Sequence, residues 1–141
     1  PDSLWVGSTR GSIIRIDNQT LSIFDDDNGI LRYDDRSLTV TAIAQNPDNP
    51  THLLAGGRIV ALSAKSHGLY ESLDDGQSWN FVPGMPGARD IWEIAFDPHF
   101  PRAFIATSSG TVIYEYTMVP EPASLLALMI AGPCLLFRRQ A

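Results

Sequence analysis

The sequence predicts an all-β chain, a partial β-propeller of two to three four-stranded antiparallel blades followed by a short hydrophobic C-terminal helix. Three observations predict it. A repeat of roughly 50 residues runs through the chain as far as about residue 117. Within each unit, short runs rich in Ile, Val, Leu, Tyr, Phe and Trp alternate with clusters of Gly, Pro, Asn and Asp, the pattern of strands joined by tight turns. No amphipathic helix of useful length precedes residue 120.

The repeat is carried by Ile43-Ala44-Gln45-Asn46-Pro47-Asp48-Asn49-Pro50, which lines up 51 residues later with Ile94-Ala95-Phe96-Asp97-Pro98-His99-Phe100-Pro101. At the same offset Leu53-Leu54-Ala55-Gly56 falls on Phe104-Ile105-Ala106-Thr107. The segment Pro1 to Gly7 fits Pro50 to Gly56 at an offset of 49, so residue 1 is expected partway through a unit. A glycine then opens an apolar run in each unit, at Gly11, Gly68 and Gly110. The middle unit is longer than its neighbours by about seven residues, assigned to the loop Gly57 to His67, where extra length costs little entropy.

Four strands are expected in the middle unit, at Leu38 to Gln45, His52 to Gly56, Gly68 to Ser72 and Ser78 to Val82. The third unit shows three, at Ile91 to Phe96, Ala103 to Thr107 and Thr111 to Thr117, and the first lacks its opening strand. Blades are therefore expected at about 1–37, 38–86 and 87–118. A ring needs at least four, so further blades are expected upstream. Trp5, Trp92 and Phe96 read as blade core, with a ligand platform as the alternative.

Of 141 residues, 44% are hydrophobic and 18% charged, a balance that supports a packed core. The net charge is −6, with Lys65 the single lysine, which removes the basic footprint nucleic-acid binding requires. One cysteine, Cys134, excludes an intramolecular disulfide framework and a cysteine-rich zinc site.

Ser72-Leu73-Asp74-Asp75-Gly76-Gln77-Ser78-Trp79 is the strongest short motif. A carboxylate at Asp74 can accept amide hydrogen bonds across the turn, Gly76 can take a positive φ, and Trp79 can cover the hairpin. It matches S-x-D-x-G-x-[ST]-W, and here the chain resembles the Asp-box (BNR) repeats of sialidase-like β-propellers. The resemblance implies a structural role for Ser72, Asp74, Gly76, Ser78 and Trp79 at an outer hairpin, away from the cleft where such proteins bind ligands. Only the middle unit has the full box; the first has the hairpin Asp17-Asn18-Gln19-Thr20 in its place.

Residues 119–141 read as a separate tail. Val119-Pro120-Glu121-Pro122-Ala123-Ser124 precedes an apolar run from Leu125 to Phe137, and Arg138 and Arg139 follow. This resembles the PEP-CTERM sorting signal of exported bacterial proteins. The prolines keep the motif extended, the apolar run enters the bilayer as a helix, and the arginines hold the end on the cytoplasmic side. Thirteen helical residues span about 20 Å, less than a hydrocarbon core of about 30 Å. The resemblance implies an exosortase-type transpeptidase as partner, cleavage near Pro120 to Pro122, transient membrane insertion, and a secretion signal upstream of Pro1. The tail contributes +1 to the charge and the rest of the chain −7, since Glu121, Arg138 and Arg139 are its only charged side chains.

Some Asp-box propellers hydrolyse glycosides, which calls for an arginine cluster, a Tyr–Glu couple or a pair of carboxylates. Arg10, Arg15, Arg32, Arg36, Arg58, Arg89 and Arg102 are available, as are Tyr70-Glu71 and Tyr114-Glu115, but neighbours on a strand point to opposite faces. Asp74, Asp75, Asp90 and Asp97 all fall in turns with nothing to single out a pair. The acidic stretch Asp25-Asp26-Asp27-Asn28-Gly29, with Asp34-Asp35 after it, departs from an EF-hand loop at the first and last ligand positions, and reads as a solvated connection, with a loop-bound Ca²⁺ as the alternative. His52, His67 and His99 lack ligand spacing. No catalytic residue, metal or cofactor is therefore assigned. The expectation is an exported cell-envelope or matrix protein, a non-enzymatic binding or scaffold module facing glycans or exopolysaccharide. The alternative is the C-terminal part of a secreted glycoside hydrolase, xyloglucanase-like or sialidase-like, with its catalytic residues in missing blades.

Overall fold

Runs of β-branched and aromatic residues between the turn clusters form strands, and every pairing among them is antiparallel. The computed structural model of the chain describes residues 3–9, 11–29, 32–33, 36–37, 39–58, 68–85 and 90–117, with residues 26, 32–33 and 36–37 described through their backbone alone. The expected helix at 125–137 lies outside these residues.

The first sheet comprises β1 (Leu4–Gly7), β2 (Ile13–Asp17) and β3 (Thr20–Phe24) in sequential order. Asn18 and Gln19, at φ 41° and 76°, close the β2–β3 hairpin as a two-residue loop with both central residues left-handed. A 3₁₀ turn at Asp26–Asn28 and a short ladder of β4 (Arg32–Tyr33) with β5 (Arg36–Ser37) lead onward. The second sheet is β6 (Thr39–Gln45), β7 (Leu53–Arg58), β8 (Leu69–Ser72) and β9 (Asn80–Phe81), again sequential. The third is β10 (Ile91–Phe96), β11 (Arg102–Thr107) and β12 (Gly110–Glu115). The chain is thus all-β, built on three antiparallel sheets of three or four strands. Strand β7 runs on to Arg58, so the extra length of the middle unit begins later than Gly57, and residues 59–67 are not among those described.

The sheets stack through alternate faces of the middle one. Ile13, Val40, Leu53, Ala55, Tyr70 and Trp79 form a core between the first and second sheets, with Trp5, Phe24 and Ile43 packed on it. On the opposite face, Ala42, Leu54, Leu69 and Val82 meet Ile91, Ile94, Ala103 and Ile105 of the third sheet. Burying each such Leu or Ile contributes about 1.5–3 kcal/mol, so these two layers are the main source of stability.

Both joins use the same devices. A bulge interrupts β6 between Val40 and Ala42 and β10 between Ile91 and Glu93, which turns Val40 and Ile43, and likewise Ile91 and Ile94, onto one face despite their spacing of three. At Gly7 an added Cβ would stand 2.5 Å from the Val40 carbonyl oxygen and 2.7 Å from its Cγ1; at Gly56 it would stand 2.7 Å from Ile91 Cδ1. In each join a glycine, Gly7 on β1 or Gly56 on β7, admits an aliphatic residue near the start of the first strand of the next sheet, Val40 or Ile91.

Two expectations are corrected here. The offset of 51 holds between β6 and β10 but falls to 50 between β7 and β11. Gln45 pairs with Leu53 whereas Phe96 pairs with Ala103, because the turn from Asp97 to Arg102 is one residue shorter than that from Asn46 to His52. Leu53 therefore corresponds to Ala103 rather than to Phe104. Trp92, expected in the core, is exposed, since it is the extra residue of the β10 bulge and drops out of the alternation.

Candidate functional site

The motif from Ser72 to Trp79 forms the hairpin between β8 and β9. Ser72 is buried; its hydroxyl donates to Asp74 Oδ1 (2.9 Å) and accepts from the Gly76 amide (2.8 Å). Asp74 Oδ1 also accepts from the Ser78 amide (2.9 Å) and Oδ2 from the Ser78 hydroxyl (2.5 Å). Burial alone would raise the Asp74 pKa, but these bonds from Ser78 and Ser72 outweigh it and hold the carboxyl below the usual range. Asp75 and Gly76 take left-handed conformations, φ 60° and 82°, and the buried Trp79 indole closes the turn by donating Nε1–H to the Gly76 carbonyl at 3.0 Å.

This hairpin is also the seat of the first sheet. Arg15 on β2 pairs with Asp75 and with Asp17. The Trp79 amide donates to the Asn28 carbonyl (2.7 Å), and the Asn28 side-chain amide donates to Gln77 O (2.8 Å). Trp5 lies against Gly76, where a Cβ would come within 2.6 Å of its ring, and packs with Phe24 at 5.8 Å between centroids. The acidic stretch serves this contact. Asp25 Oδ1 accepts the Asp27 amide (3.2 Å), Asn28 Oδ1 accepts the Asp25 amide (3.3 Å), and the turn so made presents Asn28 to the hairpin. Among the described residues, no three His, Cys, Asp or Glu side chains are grouped so that they could hold a metal ion.

A second polar cluster, which the sequence did not reveal, joins the second and third sheets. Asn46 Oδ1 accepts the Asp48 amide (3.0 Å), so its NH₂ faces Tyr116 Oη (3.0 Å) and His52 Nδ1 (3.2 Å). His52 Nδ1 is then the acceptor, and the proton sits on Nε2, which donates to Glu71 Oε1 at 2.9 Å. Tyr114 Oη donates to the same oxygen at 3.0 Å. His52, 2% exposed, stands edge-on to Phe96 and Tyr116. Burial, with the Glu71 charge added to it, holds the Tyr114 phenol protonated well above its ordinary range, and burial also raises Tyr116. Chemically this is an imidazole N–H and a phenol sharing one carboxylate oxygen, an arrangement that locks two sheets together.

The structure separates the remaining candidates. Tyr70 enters the first core while Glu71 points to the third sheet. Arg15 pairs with Asp75, Arg58 with Asp90 (3.7 Å) and Arg102 with Asp97 (2.7 Å), so three guanidinium groups face three separate carboxylates rather than a common point. The Asp97 carboxyl lies below its ordinary range, chiefly through the His99 amide and then Arg102. His99 is in an exposed turn, bonded through its backbone. Arg10, His67, Arg89, Asp34, Asp35, the motif Val119 to Ser124, and Arg138 and Arg139 lie outside the described residues, and the side chains of Arg32 and Arg36 are not among those described. The chain matches no family model and no curated protein.

Proposed function

We propose that the chain belongs to an exported bacterial β-propeller of the cell envelope or extracellular matrix, a non-enzymatic binding or scaffold module sorted by an exosortase-type transpeptidase. The observation that carries the module is the repeated join, in which bulge, glycine and aliphatic residue recur between successive sheets. Such stacking of three- and four-stranded sheets supports blades arranged about an axis. The Asp-box hairpin supports the same reading, since its polar groups are spent on its own turn and on the first sheet. Sorting rests on Val119 to Ser124, the apolar run and the terminal arginines. In this reading the membrane is crossed transiently, the mature module remains at the surface, and glycans or exopolysaccharide are its partners.

The test pairs fractionation with a glycan assay. Expressed in a host that has an exosortase, the full chain behind a secretion signal is expected to lose its tail and leave the membrane fraction, while a variant with Pro120, Glu121 and Pro122 all replaced by Ala stays there uncut. Equal partitioning of the two overturns the sorting reading. Incubated with xyloglucan and sialosides, the protein is expected to bind without releasing sugar. Hydrolysis by the full-length parent protein, whose further blades would carry the catalytic residues, establishes the glycoside-hydrolase alternative instead.

A further inference from the structure

The bulge in β10 turns a large aromatic side chain out to solvent. Ile91 and Ile94 are buried, whereas Trp92 and Glu93 between them are both exposed, the tryptophan at 53%. Thr41, which holds the equivalent place in the β6 bulge, is exposed although the third sheet stacks on the second. Exposure at this position therefore belongs to the bulge itself and not to the lack of a covering sheet. A single exposed ring is ordinary on a protein surface. This one stands beside polar groups that the fold holds in place.

Those groups come from the join between the second and third sheets. Arg58, the last residue of β7, bridges to Asp90, two residues before Trp92, and its Nε stands 3.7 Å from Asp90 Oδ1. That separation is too long for a hydrogen bond, so the guanidinium and the carboxylate both keep capacity for a third group. Their side chains are 55% and 23% exposed. The Thr41 hydroxyl donates to the Ile91 carbonyl, and the Ser108 amide donates to the Asp90 carbonyl at 3.0 Å, which fixes the backbone between the ion pair and the ring. A flat apolar surface thus lies next to a fork of donors and an acceptor.

We propose that Trp92, Arg58 and Asp90 form a subsite for a neutral hexopyranose unit of a polysaccharide. The indole takes the C–H face of the sugar ring, the guanidinium donates to hydroxyl oxygens, and the Asp90 carboxylate accepts from a hydroxyl. Charge selects the class of sugar. Asp90 and Glu93 stand against Arg58 alone, and the chain carries −6, so a polyanionic polysaccharide is repelled. A protein partner would call for a contiguous apolar surface, whereas Thr41, Glu93 and Ser108 make this end of β10 polar. The subsite rests on the glycan-binding reading above and narrows it to named residues and one class of ligand.

Affinity electrophoresis and tryptophan emission test it, on the full chain in a zwitterionic detergent that carries no sugar. Retardation by xyloglucan and a blue shift of emission at saturation are expected, and neither with polygalacturonate. Trp92→Ala should weaken retardation about tenfold and Trp92→Phe by less, and neither variant should show the emission shift. Arg58→Gln should weaken it about fivefold. Phe100→Ala removes an exposed ring beyond the other end of β10 and should leave retardation unchanged. Circular dichroism checks the fold of each variant. Xyloglucan binding that survives Trp92→Ala, or that falls equally with Phe100→Ala, overturns this subsite while leaving the module a glycan binder. Preference for polygalacturonate overturns the neutral-sugar assignment. Absence of binding to either polysaccharide overturns the glycan-binding reading and the subsite with it.

Discussion

Asp74 shows how much of a turn can hang on one carboxylate. It accepts from the Ser72 hydroxyl and from both donors of Ser78, and its depressed pKa records that the folded state prefers the charged form. The unfolded chain therefore takes up the proton first as the solution is acidified. The stabilisation is fully present above the unfolded value of about 3.9 and is lost as pH falls through the lower folded value. Asp74→Asn should cost about 1 kcal/mol near neutrality and flatten the acid limb of stability against pH, measured by urea unfolding between about pH 5 and about pH 2. An acid limb as steep as wild type would show that the carboxylate is not the titrating group. The hydrogen bonds among Ser72, Asp74, Gly76 and Ser78, and that of the Trp79 indole to Gly76, were legible in sequence because these partners lie within the motif. The contacts of the Trp79 amide with Asn28 and of Gly76 with Trp5 were not. Nor was the role of Asp75, since Arg15 is 60 residues away.

A hairpin becomes a joint when its neighbours dock on it. Gly76 is held at φ 82° with the Trp5 ring against it, so Gly76→Ala meets both a left-handed backbone and a Cβ contact of 2.6 Å. A loss of about 2–3 kcal/mol is expected, visible as a lower melting temperature together with a shift of tryptophan emission as Trp5 is displaced. Destabilisation with unchanged emission would mean that the first sheet does not depend on this seat. At this scale the strands themselves were legible from alternation and turn residues, and Ile91 to Phe96 was bounded as found. Register was not. A turn can lose one residue while keeping both prolines in step, so Leu53 and Phe104 aligned in sequence although Ala103 is the structural counterpart. The β4–β5 ladder escaped notice because two-residue strands have no period to read.

Across the whole molecule, cohesion depends on contacts far apart in the chain. Glu71 meets His52 at a separation of 19 residues and Tyr114 at 43, and Asn46 meets Tyr116 at 70, distances at which spacing carries no signal. Alternation did place Tyr70 and Glu71 on opposite faces, but which sheet Glu71 would meet depended on the stacking. Replacing Glu71 by Leu leaves the His52 and Tyr114 donors without their acceptor and should cost about 3 kcal/mol in chemical denaturation, against about 1 for Tyr114→Phe. Because the Tyr114 pKa is raised in the folded state, its contribution is intact below the unfolded value of about 10 and is lost as pH climbs above it. Tyr114→Phe should therefore soften alkaline unfolding, followed by tyrosinate absorbance. An unchanged alkaline midpoint would assign that loss to other groups. Strand β7 lies between the two cores, with Leu53 to Gly57 all buried, Leu53 and Ala55 on one side and Leu54 on the other. Solvent reaches its amides only when both layers part. Their deuterium uptake should thus be the slowest in the chain and should track global opening, so that a perturbation of either core is read at the same few backbone positions.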